Sequence, residues 1–130
     1  MIVVDASAML EGLLVTPAAS RVAARMFAAG QTLHVPHLID LEVAQVLRRY
    51  TRSGEIGARR AEEALNELAD LPLIRYRHDV LLRRIWQLRH NVTAYDAAYL
   101  ALAEVLDAPL LTRDKALASS LGHTATIDLV

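Results

Sequence analysis

Cysteine is absent from this 130-residue chain, which removes disulfide frameworks and thiolate metal sites from consideration. Glycine is scarce, with five residues, and Gly12, Gly30, Gly54, Gly57 and Gly122 form neither a dinucleotide fingerprint nor a phosphate-binding loop. Nucleotide cofactors are therefore disfavoured. The five histidines, His34, His37, His78, His90 and His123, show no zinc spacing and read as surface or satisfied polar residues. Ser7 has no evident His partner for a nucleophilic triad, and Asp5-Ala6-Ser7 lacks the second Asp of an aspartyl-phosphate phosphatase. Long hydrophobic runs are missing too. The stretch from Ala97 to Leu111 is interrupted by Glu104, Asp107 and Pro109, well short of a membrane span. The opening Met1-Ile2-Val3-Val4-Asp5 has no basic lead segment, so the expectation is a soluble cytoplasmic protein with no membrane partner. Neither charge sign dominates, the formal net charge being -1.

What is present is apolar and arginine-rich. Hydrophobic residues make up 54% of the chain, enough at this length for one domain, residues 1–130, with its own core. All but one of the 14 basic residues are Arg. Many stand in pairs or near pairs (Arg48-Arg49-Arg52, Arg59-Arg60, Arg75-Arg77, Arg83-Arg84), most of them suited to solvated helix faces.

Periodicity divides the chain into alternating elements. Ile2 to Val4 is a short β-branched strand, and Ser7 offers a cap for a helix from Ala8 to about Leu14. Ala18 to Ala29 reads as a helix stopped by Gly30, and Leu33 to Val35 as a strand closed by Pro36. Helical spacing runs from His37 to about Arg52, and again from Ile56 to Leu71. Leu73 to Tyr76 is a third strand. Asp79 to Leu88 reads as a helix burying Val80, Leu81, Ile85, Trp86 and Leu88, and Thr93 caps another to about Leu106. Pro109 to Thr112 is a fourth strand, Lys115 to Leu121 a helix, and Thr124 to Leu129 an edge strand. Such alternation predicts a three-layer α/β/α sandwich around a mainly parallel sheet of four to five strands.

Four acids carry the chemistry. Asp5, Glu42, Asp96 and Asp114 each lie at the start of a helix, in or beside apolar sequence where an unpaired charge is costly. In open parallel sheets, sites form at the carboxyl ends of strands, where Asp5 and Asp114 fall directly. Each acid alone has a structural explanation: Asp96 stands at the fourth position of a capping-box spacing from Thr93, and Asp114 is placed to cap its own helix. Asp5 competes poorly with Ser7 as a cap. Glu42, between Leu41 and Val43, is the hardest to explain that way. Together the four predict a site for a divalent cation, with the Thr112 and Ser7 hydroxyls near enough to support it.

Val4-Asp5-Ala6-Ser7, Leu41-Glu42-Val43, Leu111-Thr112-Arg113-Asp114 and, most specifically, Tyr95-Asp96-Ala97-Ala98-Tyr99-Leu100-Ala101-Leu102-Ala103 resemble the PIN-domain family, within it the VapC-type toxins of toxin–antitoxin pairs. The resemblance spans nearly the whole chain. It implies an Mg²⁺- or Mn²⁺-dependent endoribonuclease in which Asp5, Glu42, Asp96 and Asp114 are both catalytic residues and metal ligands, Thr112 and Ser7 support them, and products carry 5′-phosphate and 3′-hydroxyl ends. It also implies RNA as substrate, a cognate antitoxin laid against the hairpin from His37 to Leu71, and homodimers or toxin–antitoxin hetero-oligomers. Arg113, Arg48 and Arg49 are candidate phosphate contacts by position. Relatives often carry a further acid and an aromatic just after the last Asp. This chain instead reads Thr112-Arg113-Asp114-Lys115-Ala116-Leu117, which predicts one tight metal and a second bound only alongside RNA. The alternative is a catalytically silent module of the same fold binding RNA or a protein. A nuclease for DNA or flap structures ranks third, because the chain lacks room for the insertions such relatives use.

Overall fold

The computed structural model describes residues 1–130. The elements in order are β1 (Ile2–Val4), α1 (Ala6–Leu14), α2 (Ala19–Met26), β2 (Leu33–Pro36), α3 (Ile39–Ser53), α4 (Ala58–Asp70) and β3 (Leu73–Tyr76), followed by a 3₁₀ turn (Asp79–Leu81). Then come α5 (Leu82–Gln87), α6 (Ala94–Leu106), β4 (Leu110–Thr112), α7 (Lys115–Ala118) and β5 (Ile127–Leu129). All five strands join one sheet in the order β3-β2-β1-β4-β5, and every pairing is parallel. The predicted three-layer sandwich is borne out, at five strands.

Topology follows from connection handedness. The chain moves outward from β1 through β2 to β3, then returns to β4 and β5 on the other side of β1. Right-handed crossovers put the helices of these two excursions on opposite faces. Accordingly α1 packs with α2, α3 and α4, whereas α6 packs with α5 and lies against β1, β2 and β4. The order reverses between β1 and β4, and that is where an open sheet leaves a crevice beyond its carboxyl ends.

Burial explains which residues build this frame. β1, β2 and β4 are buried along their whole length, as strands covered on both faces must be. In α6 every residue from Ala97 to Ala103 is buried, so this helix is apolar on all sides and its alanines admit close neighbours. Polar groups in the frame are paired. Buried His34 bonds Thr32 Oγ1 at 2.8 Å and Tyr76 Oη at 2.7 Å, and His78 Nε2 accepts the Leu38 amide at 2.9 Å near the start of α3. Asp40 receives both arms of the Arg75 guanidinium at 2.8 Å, tying α3 to β3.

Several boundaries differ from the sequence reading. The first helix begins at Ala6 because Asp5 is its cap, its carboxylate accepting the Ala8 amide at 2.9 Å; Ser7 is not the cap. The second helix is shorter than expected, starting at Ala19 beyond a turn at Thr16–Ala18. The segment from Asp79 splits into a 3₁₀ turn and a short α-helix. That changes the side-chain period and leaves Val80 and Trp86 exposed at 77% and 67%. The α7 helix ends at Ala118, where the Ser119 and Ser120 hydroxyls donate back to the Lys115 and Leu117 carbonyls.

Candidate active site

Asp5 follows the last residue of β1 and Asp114 lies just beyond β4, so neighbouring strands deliver both to the switch-point crevice. Asp5 is buried. Its Oδ1 accepts from the Ser7 hydroxyl at 2.6 Å and the Ala8 amide at 2.9 Å, and its Oδ2 accepts from the Thr112 hydroxyl. Those hydroxyls are themselves fixed: the Arg113 amide donates to Ser7 Oγ at 2.9 Å and the Asp114 amide to Thr112 Oγ1 at 3.0 Å. Ser7 and Thr112 therefore orient a carboxylate and cross-link the ends of β1 and β4. For Ser7 this hydrogen bond to Asp5 stands in place of the expected capping role.

Glu42 and Asp96 approach from the two helical layers. Glu42 stands in the first turn of α3, and its Oε1 accepts from the buried Tyr99 hydroxyl of α6 at 2.6 Å. Asp96, in the first turn of α6, has its amide bonded to Thr93 Oγ1 at 3.2 Å. No bond returns from the Thr93 amide to the Asp96 carboxylate, so the reciprocal half of a capping box is missing and that carboxylate makes no hydrogen bond within the protein. Asp114 does cap α7, Oδ1 accepting from the Ala116 and Leu117 amides at 2.8 and 3.2 Å, which leaves Oδ2 open.

The acids feel one another. Burial pushes the Asp5 carboxyl above its ordinary range against the pull of its Ser7, Thr112 and Ala8 hydrogen bonds, and Asp114 pushes in the same direction. Burial also raises Glu42; the Tyr99 hydroxyl opposes the rise, while Asp96 and Asp5 add to it. Asp96 is raised by burial, then by Asp114 and Asp5, with Thr93 opposing. The Tyr99 hydroxyl is pushed far above the usual phenol value, first by burial and then by Glu42, so it remains a donor. All four predicted carboxylates thus share one electrostatic site. No three acidic or histidine side chains are gathered closely enough to cage an ion directly. The set is an open one, with Glu42 Oε2, Asp114 Oδ2 and the half-buried Asp96 carboxylate available.

Two grooves flank the acids. One, about 400 Å³, is bordered by Glu42, Leu41, Arg49 and Tyr95; the other, about 490 Å³, by Asp96, Asn91, His90 and Arg89. Arg49 is thus a rim residue as expected, while exposed Arg48 borders neither. Arg113 is largely committed elsewhere, to Glu11 at 3.7 Å and the Val130 carbonyl at 2.5 Å. Tyr99 was not singled out by sequence, although a phenol in an apolar helix one turn after Asp96 was a usable signal.

Comparison with known proteins gives the chain its relatives. The PIN domain family model matches residues 2–120. Ribonuclease VapC1 of Mycobacterium tuberculosis is 45% identical over 129 residues, covering 98% of this chain and 96% of the relative. Among solved structures, the sarcin-ricin loop cleaving toxin VapC20 of Mycobacterium tuberculosis aligns with a TM-score of 0.66 at 18% identity, over 95% of this chain and all of that one. VapBC2 from Rickettsia felis, bound to a DNA fragment from its promoter, aligns at 0.67 and 11% identity over 99% and 98%. Those two likenesses concern the fold; the sequence match of the whole chain carries the kinship. The chain belongs to the PIN-domain family, among its VapC ribonucleases.

Proposed function

We propose that this protein is a metal-dependent endoribonuclease acting as the toxin of a toxin–antitoxin pair in the cytoplasm. The observation that carries the reading is the convergence of Asp5, Glu42, Asp96 and Asp114 over the switch point. There burial and mutual repulsion disfavour the charged forms of Asp5, Glu42 and Asp96 unless something positive joins them. An all-oxygen donor set of this kind fits Mg²⁺ or Mn²⁺, hard cations that keep several waters, and its open spacing fits an ion held partly through those waters. Glu42, Asp96 and Asp114 offer free oxygens; Asp5 offers the remaining lone pair of a carboxylate already gripped by three donors. Bound there, such a cation supplies Lewis-acid polarisation of the scissile phosphate and a lowered pKa for the attacking water.

The chain's own residues supply orientation. Ser7 and Thr112 hold the Asp5 plane, Tyr99 holds Glu42 across the two helical layers, and the α7 amides hold Asp114. With Ala116 in place of a further acid, a single tight ion forms the resting site, and a second joins with RNA. The antitoxin, by this reading, lies on the α3–α4 hairpin, where Leu41 and Leu65 are exposed at 75% and 39%, and toxins pair as homodimers. No helix is long and apolar enough to cross a membrane.

The test is cleavage of total cellular RNA by purified protein with Mg²⁺ or Mn²⁺, beside Asp5→Asn and Asp96→Asn. Discrete fragments with 5′-phosphates, absent in EDTA and in both variants, are expected. Identical behaviour of wild type and variants, with tight metal-independent RNA binding, would instead make the protein a silent binding module.

A further inference from the structure

Trp86 is the only tryptophan of the chain, and it is 67% exposed on a six-residue helix. Large aromatic rings are mostly buried in folded chains. The ring is nonetheless held in place: the Arg89 guanidinium lies 4.6 Å from its centroid, and Arg89 Nη1 donates to the Trp86 carbonyl at 2.9 Å. Arg89 has no acidic partner, nor has the exposed Arg83 three residues before Trp86, whereas Arg77 and Arg84 nearby are paired with Asp79 and Glu104. Here an aromatic plane and two unspent cations stand together.

This patch continues into the catalytic crevice. Arg89, His90, Asn91, Thr93 and Asp96 line one groove of about 490 Å³, within the roughly 300–1,000 Å³ of small-ligand sites. The Asn91 side chain and the His90 ring take part in no hydrogen bond within the protein. Asn91 is still confined, because it packs on the bare backbone of Gly122, where an added Cβ would stand 2.4 Å from its Nδ2. The groove therefore presents a confined amide with donor and acceptor, an imidazole and a guanidinium, and that guanidinium also lies over the Trp86 ring.

We propose that this groove is the track for a single-stranded RNA segment. In it, Arg89 meets a phosphate and Asn91 a base edge, and at its edge an unpaired base stacks against the Trp86–Arg89 pair. The inference rests on the ribonuclease reading and adds to it a stacking position on α5, beside the acidic crevice, for a base of the bound strand. Single strands are recognised by stacking on aromatic and guanidinium planes together with phosphate neutralisation, and a paired helix has no free base faces to offer.

Trp86 emission gives a direct readout. Full-length Asp5→Asn protein, silenced for cleavage, is titrated in Mg²⁺ with a short mixed-sequence oligoribonucleotide. Tryptophan emission is followed with unlabelled RNA and anisotropy with a fluorescein-labelled copy. The expected result is quenching of Trp86 that tracks the rise in anisotropy, and much weaker binding once the RNA is annealed to its complement. Trp86→Ala should weaken binding by about 10-fold or more, in line with the loss of one stacked base, and Arg89→Gln by several-fold. Rising anisotropy with unchanged emission would place the RNA elsewhere and overturn the track while leaving the ribonuclease reading intact. An emission change that follows protein concentration without RNA would show a second copy covering the ring, and would also overturn it. Absence of both RNA binding and cleavage of total RNA by the wild type would overturn the two readings together.

Discussion

Asp5 and Asp96 lie over the same crevice and both are raised in pKa by burial, yet they are held in opposite ways. Asp5 is knitted into the frame. It caps α1, accepts three hydrogen bonds, and through Ser7 and Thr112 links the ends of β1 and β4. Asp96 is only partly buried and gains little from its neighbours beyond Thr93, while Asp114 and Asp5 repel it. One carboxylate is anchored by the fold; the other is carried at the expense of the fold.

Paired substitutions break this comparison most sharply. Both Asp5→Ala and Asp96→Asn should reduce RNA cleavage by about 100-fold or more, because losing a residue that only orients a metal ligand already costs up to that much. Their stabilities should part. Asp5→Ala removes a helix cap and leaves the Thr112 hydroxyl and the Ala8 amide short of a partner, a loss of roughly 1–3 kcal/mol. Asp96→Asn relieves repulsion and should raise the melting temperature of metal-free protein by a few degrees, about 1 kcal/mol at this size. Thermal melts in EDTA decide the matter, and a fall for Asp96→Asn would show that its carboxylate is structural after all.

A pH series sharpens the same point. Above its ordinary value of 3.8 an unfolded Asp96 has lost its proton while the folded one still holds it. The folded state then binds more protons, so its stability falls as pH rises through that window and stays lowered above the raised folded value. Glu104, lowered by Arg84, has the reverse dependence, so the informative quantity is wild type minus Asp96→Asn. In EDTA that difference should become more unfavourable to the wild type from acid to neutral pH. Mg²⁺ should reverse it most strongly at neutral pH, where protons compete least. A flat difference across the series would remove repulsion as the cause.

How far such behaviour was legible in the sequence depends on the range of the interaction. The strand ends, the alternation of elements and the four acids could be read locally, since β-branched runs and helix starts are short-range patterns. Strand order could not, because nothing near β1 records that β4 will lie beside it. Capping was misread at Ser7 because Asp5 and Ser7 stand two residues apart and both suit a cap; the bond from Thr112, 107 positions away, is part of what holds Asp5 in the role. The segment from Asp79 misled for another reason. Its 3₁₀ turn changes the period, so a strictly helical count buries Trp86 when it is exposed. Arg113 was a fair phosphate candidate by position until Glu11 and the Val130 carbonyl engaged it.

The smallest expected effect concerns Tyr99, which supports Glu42 much as Thr112 supports Asp5. It is almost fully buried and reaches from α6 to Glu42 on the opposite layer, 57 positions away in sequence. If it acts by setting the Glu42 carboxylate, Tyr99→Phe should weaken Mn²⁺ binding and lower cleavage by about 10-fold, the low end for a residue that orients a ligand. A general packing role predicts a loss that adds to any other change, whereas a role through Glu42 predicts none beyond the loss of Glu42 itself. The double variant Tyr99→Phe with Glu42→Gln separates these, because contacting residues that act as a unit fail to add. Mn²⁺ binding by the double variant should equal that of Glu42→Gln alone. An additive loss would return Tyr99 to the core, and Glu42 would then be set by its helix and by charge alone.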